Sequence, residues 1–130
     1  MSIYRNKIYM ENNVGRDHLE RNIGMDRIWK HMDFLGLIAN PASKRQVRAL
    51  LSTSTEEQLN VISELALNVL QYRIKLSKYY KTLLAKDADF IRTLANRSVG
   101  SQKRRNLVLN NIKTTSVLLK VCLKRITDGR

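Results

Sequence analysis

Ser54–Leu70, STEEQLNVISELALNVL, decides the fold class, because it opens like a helix and then keeps a helical period to its end. Ser54-Thr55-Glu56-Glu57 has the form of a capping box, with Ser54 as the cap and Glu57 reaching back to it. Leu59, Ile62, Ala66 and Val69 then recur at spacings of three and four. Val61, Leu65 and Leu70 widen that stripe to the breadth of a helix covered on most sides. This helix, about 55–71, is expected at the buried centre of the fold. Glu64 and Asn68 fall near the stripe and are expected on its half-exposed edge, with a buried polar pair as the alternative.

The same punctuation continues in both directions. Upstream, Asn40-Pro41 is a start signal, since Asn caps and Pro at the first helical position loses no hydrogen bond. A helix of about 41–52 would turn Val47, Leu50 and Leu51 inward and Lys44, Arg45 and Arg48 outward. Before it, Met25, Ile28, Trp29, Met32 and Leu35 have the spacing of a short amphipathic helix near 25–38. Downstream, Tyr72–Leu76 reads as a connector and Ser77 as a cap. Tyr80, Leu83, Leu84, Ile91, Leu94 and Ala95 carry a stripe to about residue 96. Asp87 and Asp89 interrupt it, giving one kinked helix or two short ones. Arg97–Gly100 is a turn, and Ser101 caps a last helix whose seam is Val108, Ile112, Thr115, Leu119, Cys122 and Ile126.

No sustained alternation of period two is present, so the expected fold is all-α: a small compact bundle of about five helices. Residues 1–31 are expected as a flexible or weakly ordered extension, and 32–130 as a single helical domain with a basic C-terminal half. At 130 residues, 43% hydrophobic and 27% charged, the chain can bury one modest core and is not a wholly disordered polymer. The single cysteine excludes an internal disulfide and fits a reducing, intracellular compartment. No signal peptide is visible, and no apolar run approaches the roughly 20 residues a membrane span needs.

Catalytic and metal chemistry lack their usual residue patterns. The five glycines are isolated, so no Gly-rich phosphate loop is present. His18 and His31 have no partners at metal-ligand spacing. Cys122 lies on an apolar seam that disfavours a thiolate. Asp87 and Asp89, two apart, would diverge on a helix. No enzyme activity, catalytic residue, cofactor or metal is expected.

The informative quantity is charge. The formal net charge is +13, and residues 72–130 hold fifteen Lys/Arg against three Asp. A field polarised in this way draws polyanions, nucleic acid before anionic membrane. Within it, SQKRRNLVLNN (101–111) places Lys103, Arg104 and Arg105 in the first turn of a helix, where the dipole repels cations. The cluster reads as a phosphate clamp extended by Arg97, as a nuclear address, or as the wet face of a helix. Lys113, Lys120 and Lys124 lie opposite the seam of the last helix and could follow a duplex backbone. Asn106, Asn110 and Asn111 could reach a base edge, or be poor helix formers left on a surface. Few aromatics apart from Tyr72, Tyr79 and Tyr80 lie among the cations, which favours duplex backbone binding over single-strand stacking.

From about Phe34 onward the chain resembles a family of small basic proteins encoded by Polinton (Maverick) elements and adintoviruses of invertebrates. The matching blocks are FLGLIANPASKRQVRALL, EEQLNVISELALNVL, KLSKYYKTLL, IRTLANRSV and KRRNLVL, in similar order and spacing. Members usually begin near the position of Met32 and often end in a Gly-rich hydrophobic tail, whereas the last residues here read IKTTSVLLKVCLKRITDGR. The resemblance implies a DNA-virus-like element, a place among virion genes, and residence in a host nucleus or a virion.

The expected function is therefore sequence-independent binding of a DNA backbone, as a core or minor virion protein. Arg97, Lys103, Arg104, Arg105, Lys113, Lys120 and Lys124 are the expected contacts. The alternative is a non-enzymatic helical interaction or capsid-assembly module, with a virion protein or a second copy as partner. Met25, Ile28, Trp29 and Met32 would then be its candidate docking stripe.

Overall fold

A computed structural model of the chain describes residues 25–128. Among these residues there are eight helices and no strand: α1 (Met25–Lys30), α2 (Met32–Ala39), α3 (Lys44–Ser52), α4 (Glu56–Leu70), α5 (Lys78–Ala85), α6 (Ala88–Ala95), α7 (Ser101–Leu109) and α8 (Ile112–Asp128). The all-α expectation holds, but the expected five or so helices are eight: the 25–38 helix and the last helix each divide in two, and the stripe from Ser77 to about residue 96 takes its two-helix alternative. Residues 1–24 of the expected extension lie outside the described residues. Residues 25–30 of it form α1, which buries Ile28 completely in the core.

The helix α4 is central, packing against α6, α7 and α8. The pair α2 and α8 forms a second major contact, while α3 packs on α7. Leu59, Val61, Ile62, Leu65 and Ala66 are all fully buried on α4, as the width of its stripe requires. Each large side chain so buried contributes about 1.5–3 kcal/mol of hydrophobic transfer. Asn68, expected at a half-exposed edge, is buried too, with its amide donating to the Glu64 carbonyl at 2.7 Å.

The breaks have local causes. Between α1 and α2, the His31 N–H is shared by the carbonyls of Arg27 (3.2 Å) and Ile28 (3.1 Å). Both Lys30 and His31 reach Glu57 at the start of α4, each at 3.3 Å. His31 first, then Lys30, holds the exposed Glu57 carboxyl below its ordinary range. Asn40, expected to start a helix, ends α2 instead, outside helical geometry as a residue before proline tends to be. Ser43 caps α3, its Oγ accepting the Gln46 N–H at 3.1 Å. The capping box of α4 is likewise shifted by one. Thr55 Oγ1 accepts the Gln58 N–H at 3.1 Å and Gln58 Oε1 accepts the Thr55 N–H at 2.8 Å. Ser54 is released to donate from Oγ to the Leu51 carbonyl at 2.7 Å, in a buried position.

Asp87 separates α5 from α6. Its Oδ2 accepts the Thr114 hydroxyl at 2.7 Å, fastening that corner to the first turn of α8. The expected last helix divides at Asn110-Asn111, where side chains compete for the backbone. The Asn111 amide donates to the Leu107 carbonyl at 2.9 Å, and Thr115 Oγ1 donates to the Asn111 carbonyl at 2.8 Å. Beyond the break Thr115, Leu119, Cys122 and Ile126 of the expected seam are buried, and Ile112 is half-buried against the core. Burial pushes the Cys122 thiol up to about 12.

The helix α4 closes in an unusual way. The Tyr72 N–H bonds to the Val69 carbonyl (3.1 Å) and the Arg73 N–H to the Asn68 carbonyl (2.9 Å), the two bonds of a Schellman motif. The left-handed position that motif needs is filled by Tyr72, at φ 60°, where glycine is usual. A side chain there costs roughly 1–2 kcal/mol, against which glycine loses about 0.5–1 kcal/mol of chain entropy. Tyr72→Gly is therefore expected to stabilise the fold by up to about 1 kcal/mol, raising Tm by a few degrees. Thermal unfolding followed by circular dichroism checks this, and a lowered Tm would show that the tyrosine ring contributes more than its backbone costs.

Candidate nucleic-acid interface

The turn before α7 is tied by Asn96, whose Oδ1 accepts both the Ser98 N–H (3.0 Å) and the Ser98 hydroxyl (2.6 Å). Ser101, expected as the cap of α7, is its first helical residue. Gly100 precedes it and offers no side-chain cap. The helix then turns one face to α3, α4 and α6, and that choice decides the fate of the basic cluster.

Arg104 faces inward and is only 2% exposed. Its Nη1 donates to Asn60 Oδ1 at 2.8 Å and to Ser63 Oγ at 2.9 Å, both on α4. Burial, and then Arg97, push its pKa below the ordinary arginine value, and Arg105 adds to this while Glu56 opposes it. Arg105 is half-buried and spans to the α3–α4 loop, donating from Nη2 (2.8 Å) and Nε (3.3 Å) to the Ser54 carbonyl. Its Nη1 holds Gln102 Oε1 at 2.9 Å. The expected phosphate clamp is thus corrected for two of its members. Arg104 is withdrawn from solvent and Arg105 is committed to a loop carbonyl.

The cause was present in the pattern. Arg104 lies four residues before Val108, so the inner seam of the last helix, extended back one turn, runs through it. The dipole argument placed Lys103, Arg104 and Arg105 together because they share a turn. A turn of helix nevertheless points its residues in all directions.

The remaining expected contacts are exposed: Arg97, Lys103, Lys113, Lys120 and Lys124. At 100° per residue, Lys113 and Lys120 differ by about 20° and Lys120 and Lys124 by about 40° around α8, so the three share one face over roughly 16 Å. The ion pairs among the described residues are Arg27–Glu64, Lys30–Glu57, His31–Glu57 and Arg92–Asp89, none of which uses these five. Arg97 lies near enough to Glu64 to act on it. Burial raises the Glu64 carboxyl, and Arg27, 3.3 Å away, and Arg97 oppose that rise. Asn111, expected as a possible base contact, is spent on the backbone, whereas Asn106 and Asn110 are exposed.

A second basic stretch went unassigned in the sequence. Lys75, Lys78 and Lys81 are exposed, as are Tyr72 and Tyr79 in the same stretch, and Arg73 is half-buried. The signal was the absence of any Asp or Glu between Glu64 and Asp87. The docking stripe considered at the N-terminal end is mostly core: Ile28 is buried, and Met25 and Met32 pack against the core with only part of their surface showing. Among the described residues no group of His, Cys, Asp or Glu could hold a metal ion, and no helix is long and apolar enough to cross a membrane. Comparison of the chain with protein-family models, curated proteins and solved structures found no match.

Magnitudes decide what Arg104 does for the fold. Removing a cation from water costs several kcal/mol, and its two hydrogen bonds to neutral acceptors return about 1.5–3 kcal/mol each. With Nε also buried and without a hydrogen-bond partner, the side chain adds little net stability, and losing an acceptor from beneath it costs more. Ser63→Ala is expected to destabilise by about 1–3 kcal/mol, and Arg104→Met, which removes the buried charge and keeps the volume, by less. Urea unfolding of both variants and of the double variant checks this. Equal single losses that simply add would show that the two groups do not depend on each other.

Proposed function

We propose that the chain binds the backbone of duplex DNA without reading its sequence, using the face of α8 that carries Lys113, Lys120 and Lys124, joined by Lys103 and Arg97. The observation that carries the reading is that row of exposed lysines, engaged by none of the ion pairs among the described residues and backed by a chain with few acids in its second half. Lysines spaced along a helix act on phosphates as point charges and release counterions, without specifying a base. The resemblance of residues from Phe34 onward to the Polinton and adintovirus family supplies the setting. A core or minor virion protein on a packaged genome, in a host nucleus or a virion, needs this kind of indifferent, salt-sensitive affinity.

The test is binding to a random-sequence duplex across a salt titration. The slope of log K against log salt is expected to flatten by about two to three units when Lys113, Lys120 and Lys124 are changed to Gln. Arg104→Met should leave the slope unchanged, since that charge does not face water. An unchanged slope in the triple variant removes α8 as the interface.

One observation favours the second reading, a helical interaction or capsid-assembly module. Leu37 is 42% exposed on α2, and Trp29 is exposed on α1. If charge removal leaves duplex binding untouched while Leu37→Ser abolishes self-association or capture of a virion protein, that reading replaces the first.

A further inference from the structure

The connector between α4 and α5 and the first turn of α5, residues 72–81 (YRIKLSKYYK), expose two tyrosines among cations. Tyr72 is 56% exposed and Tyr79 is 67% exposed. The Tyr79 and Tyr80 rings meet edge to face, with centroids 5.0 Å apart and planes at 74°, so each orients the other. Lys75, Lys78 and Lys81 are exposed on the same ten-residue stretch. Ile74 is buried in the core and pins the middle of the segment, which leaves its neighbours Tyr72, Arg73 and Lys75 on a fixed stretch of backbone. Tyr72 itself is held at φ 60°, in the left-handed region, which fixes the direction in which its side chain leaves the backbone.

We infer that this segment is a stacking platform for the unpaired bases of single-stranded nucleic acid. The chemistry is that of a single-strand groove: flat rings take the faces of successive bases, and a surrounding set of cations follows the phosphates. Charge complementarity selects the occupant. An acid-free run bearing Arg73, Lys75, Lys78 and Lys81 repels basic partners and attracts a polyanion. Tyrosines seated on a fixed backbone offer a polyanion ring faces to stack on, whereas an anionic membrane surface is more often met by Trp, Phe or Leu anchors. The inference uses different residues from the duplex reading and stands without it.

The experiment measures fluorescence anisotropy of a labelled oligo(dT) and oligo(U) of about 20 nucleotides, and of a duplex of equal length, against the full chain and two variants. Tyr72→Gly is the informative substitution, because it relieves backbone strain and is expected to fold at least as well as the parent. Tyr79→Ala is the second, at the most exposed ring. Each is expected to weaken single-strand binding by about 10-fold, with the salt slope unchanged because no charge is removed. Duplex affinity should stay within about twofold. The α8 triple-lysine variant should show the converse, a weakened duplex and a largely retained single strand. Failure of the duplex reading alone would leave the tyrosine effect in place. Single-strand affinity unchanged in both tyrosine variants overturns the inference, as does an equal loss on single strand and duplex. Binding to phosphatidylserine vesicles that depends on the tyrosines, without oligo(dT) or oligo(U) binding, overturns it in favour of a membrane surface.

Discussion

A guanidinium in an apolar core must be given acceptors, and the arrangement of the basic half follows from how α4 supplies them to Arg104. Asn60 and Ser63 lie three residues apart on α4, so they sit together on one side of that helix and both reach Nη1. Those two bonds set the rotation of α7 about its own axis, although Nε stays buried without a partner. With Arg104 and Val108 inward, Lys103 and Asn106 are outward and Arg105 falls at the edge, within reach of the Ser54 carbonyl. Ser54 is in turn the buried residue of the α3–α4 loop. Two neighbouring arginines therefore orient α7 on two different partners, and the turn after Leu109 sends α8 away from a helix whose position is already set.

Formal charge is thus a poor guide to the field a partner meets. The KRR triplet divides into one cation displayed, one half-hidden and one interred, while single lysines on α8 remain in water. The exchange suits the physics of each side chain. Arginine's planar fork can divide its donors among neutral oxygens under cover, whereas lysine's compact ammonium is strongly hydrated and is costly to bury.

What could be read from the residues is what depends on periodicity. The stripe of α4, the inward Val47 and Leu51 of α3, the Leu94–Ala95 end of α6 and the Thr115–Ile126 seam of α8 all follow from the spacing of apolar side chains. What could not be read is where the backbone stops obeying the period. The break falls at Asn111, whose N–H bonds to the Val108 carbonyl while its side-chain amide takes the Leu107 carbonyl, and nothing in the apolar pattern marks that choice. The cap of α5 was read at Ser77, where it lies, but that of α4 was placed one residue early, because Ser54, a cap by type, is buried and donates to the Leu51 carbonyl, leaving Thr55 as the cap. The candidate interface was half legible for a related reason. Charge density can be counted along a sequence, but which side of a turn is wet depends on the helices it packs against. Tyr72 was the least legible of all, since no residue type announces that it will occupy a glycine's conformation.

The pairing of α2 with α8 joins nearly the first described helix to the last. Such a contact is slow to gain, because the whole intervening chain must be ordered or looped before it closes. On a ribosome, where the N-terminal part emerges first, the apolar side of α2 has its main cover only once α8 has been made. Helices α3 to α7 can settle around α4 during that interval, but they leave a seam open. The nascent protein accordingly carries a sticky stripe until α8 has emerged, and seals it after the rest of the core has formed.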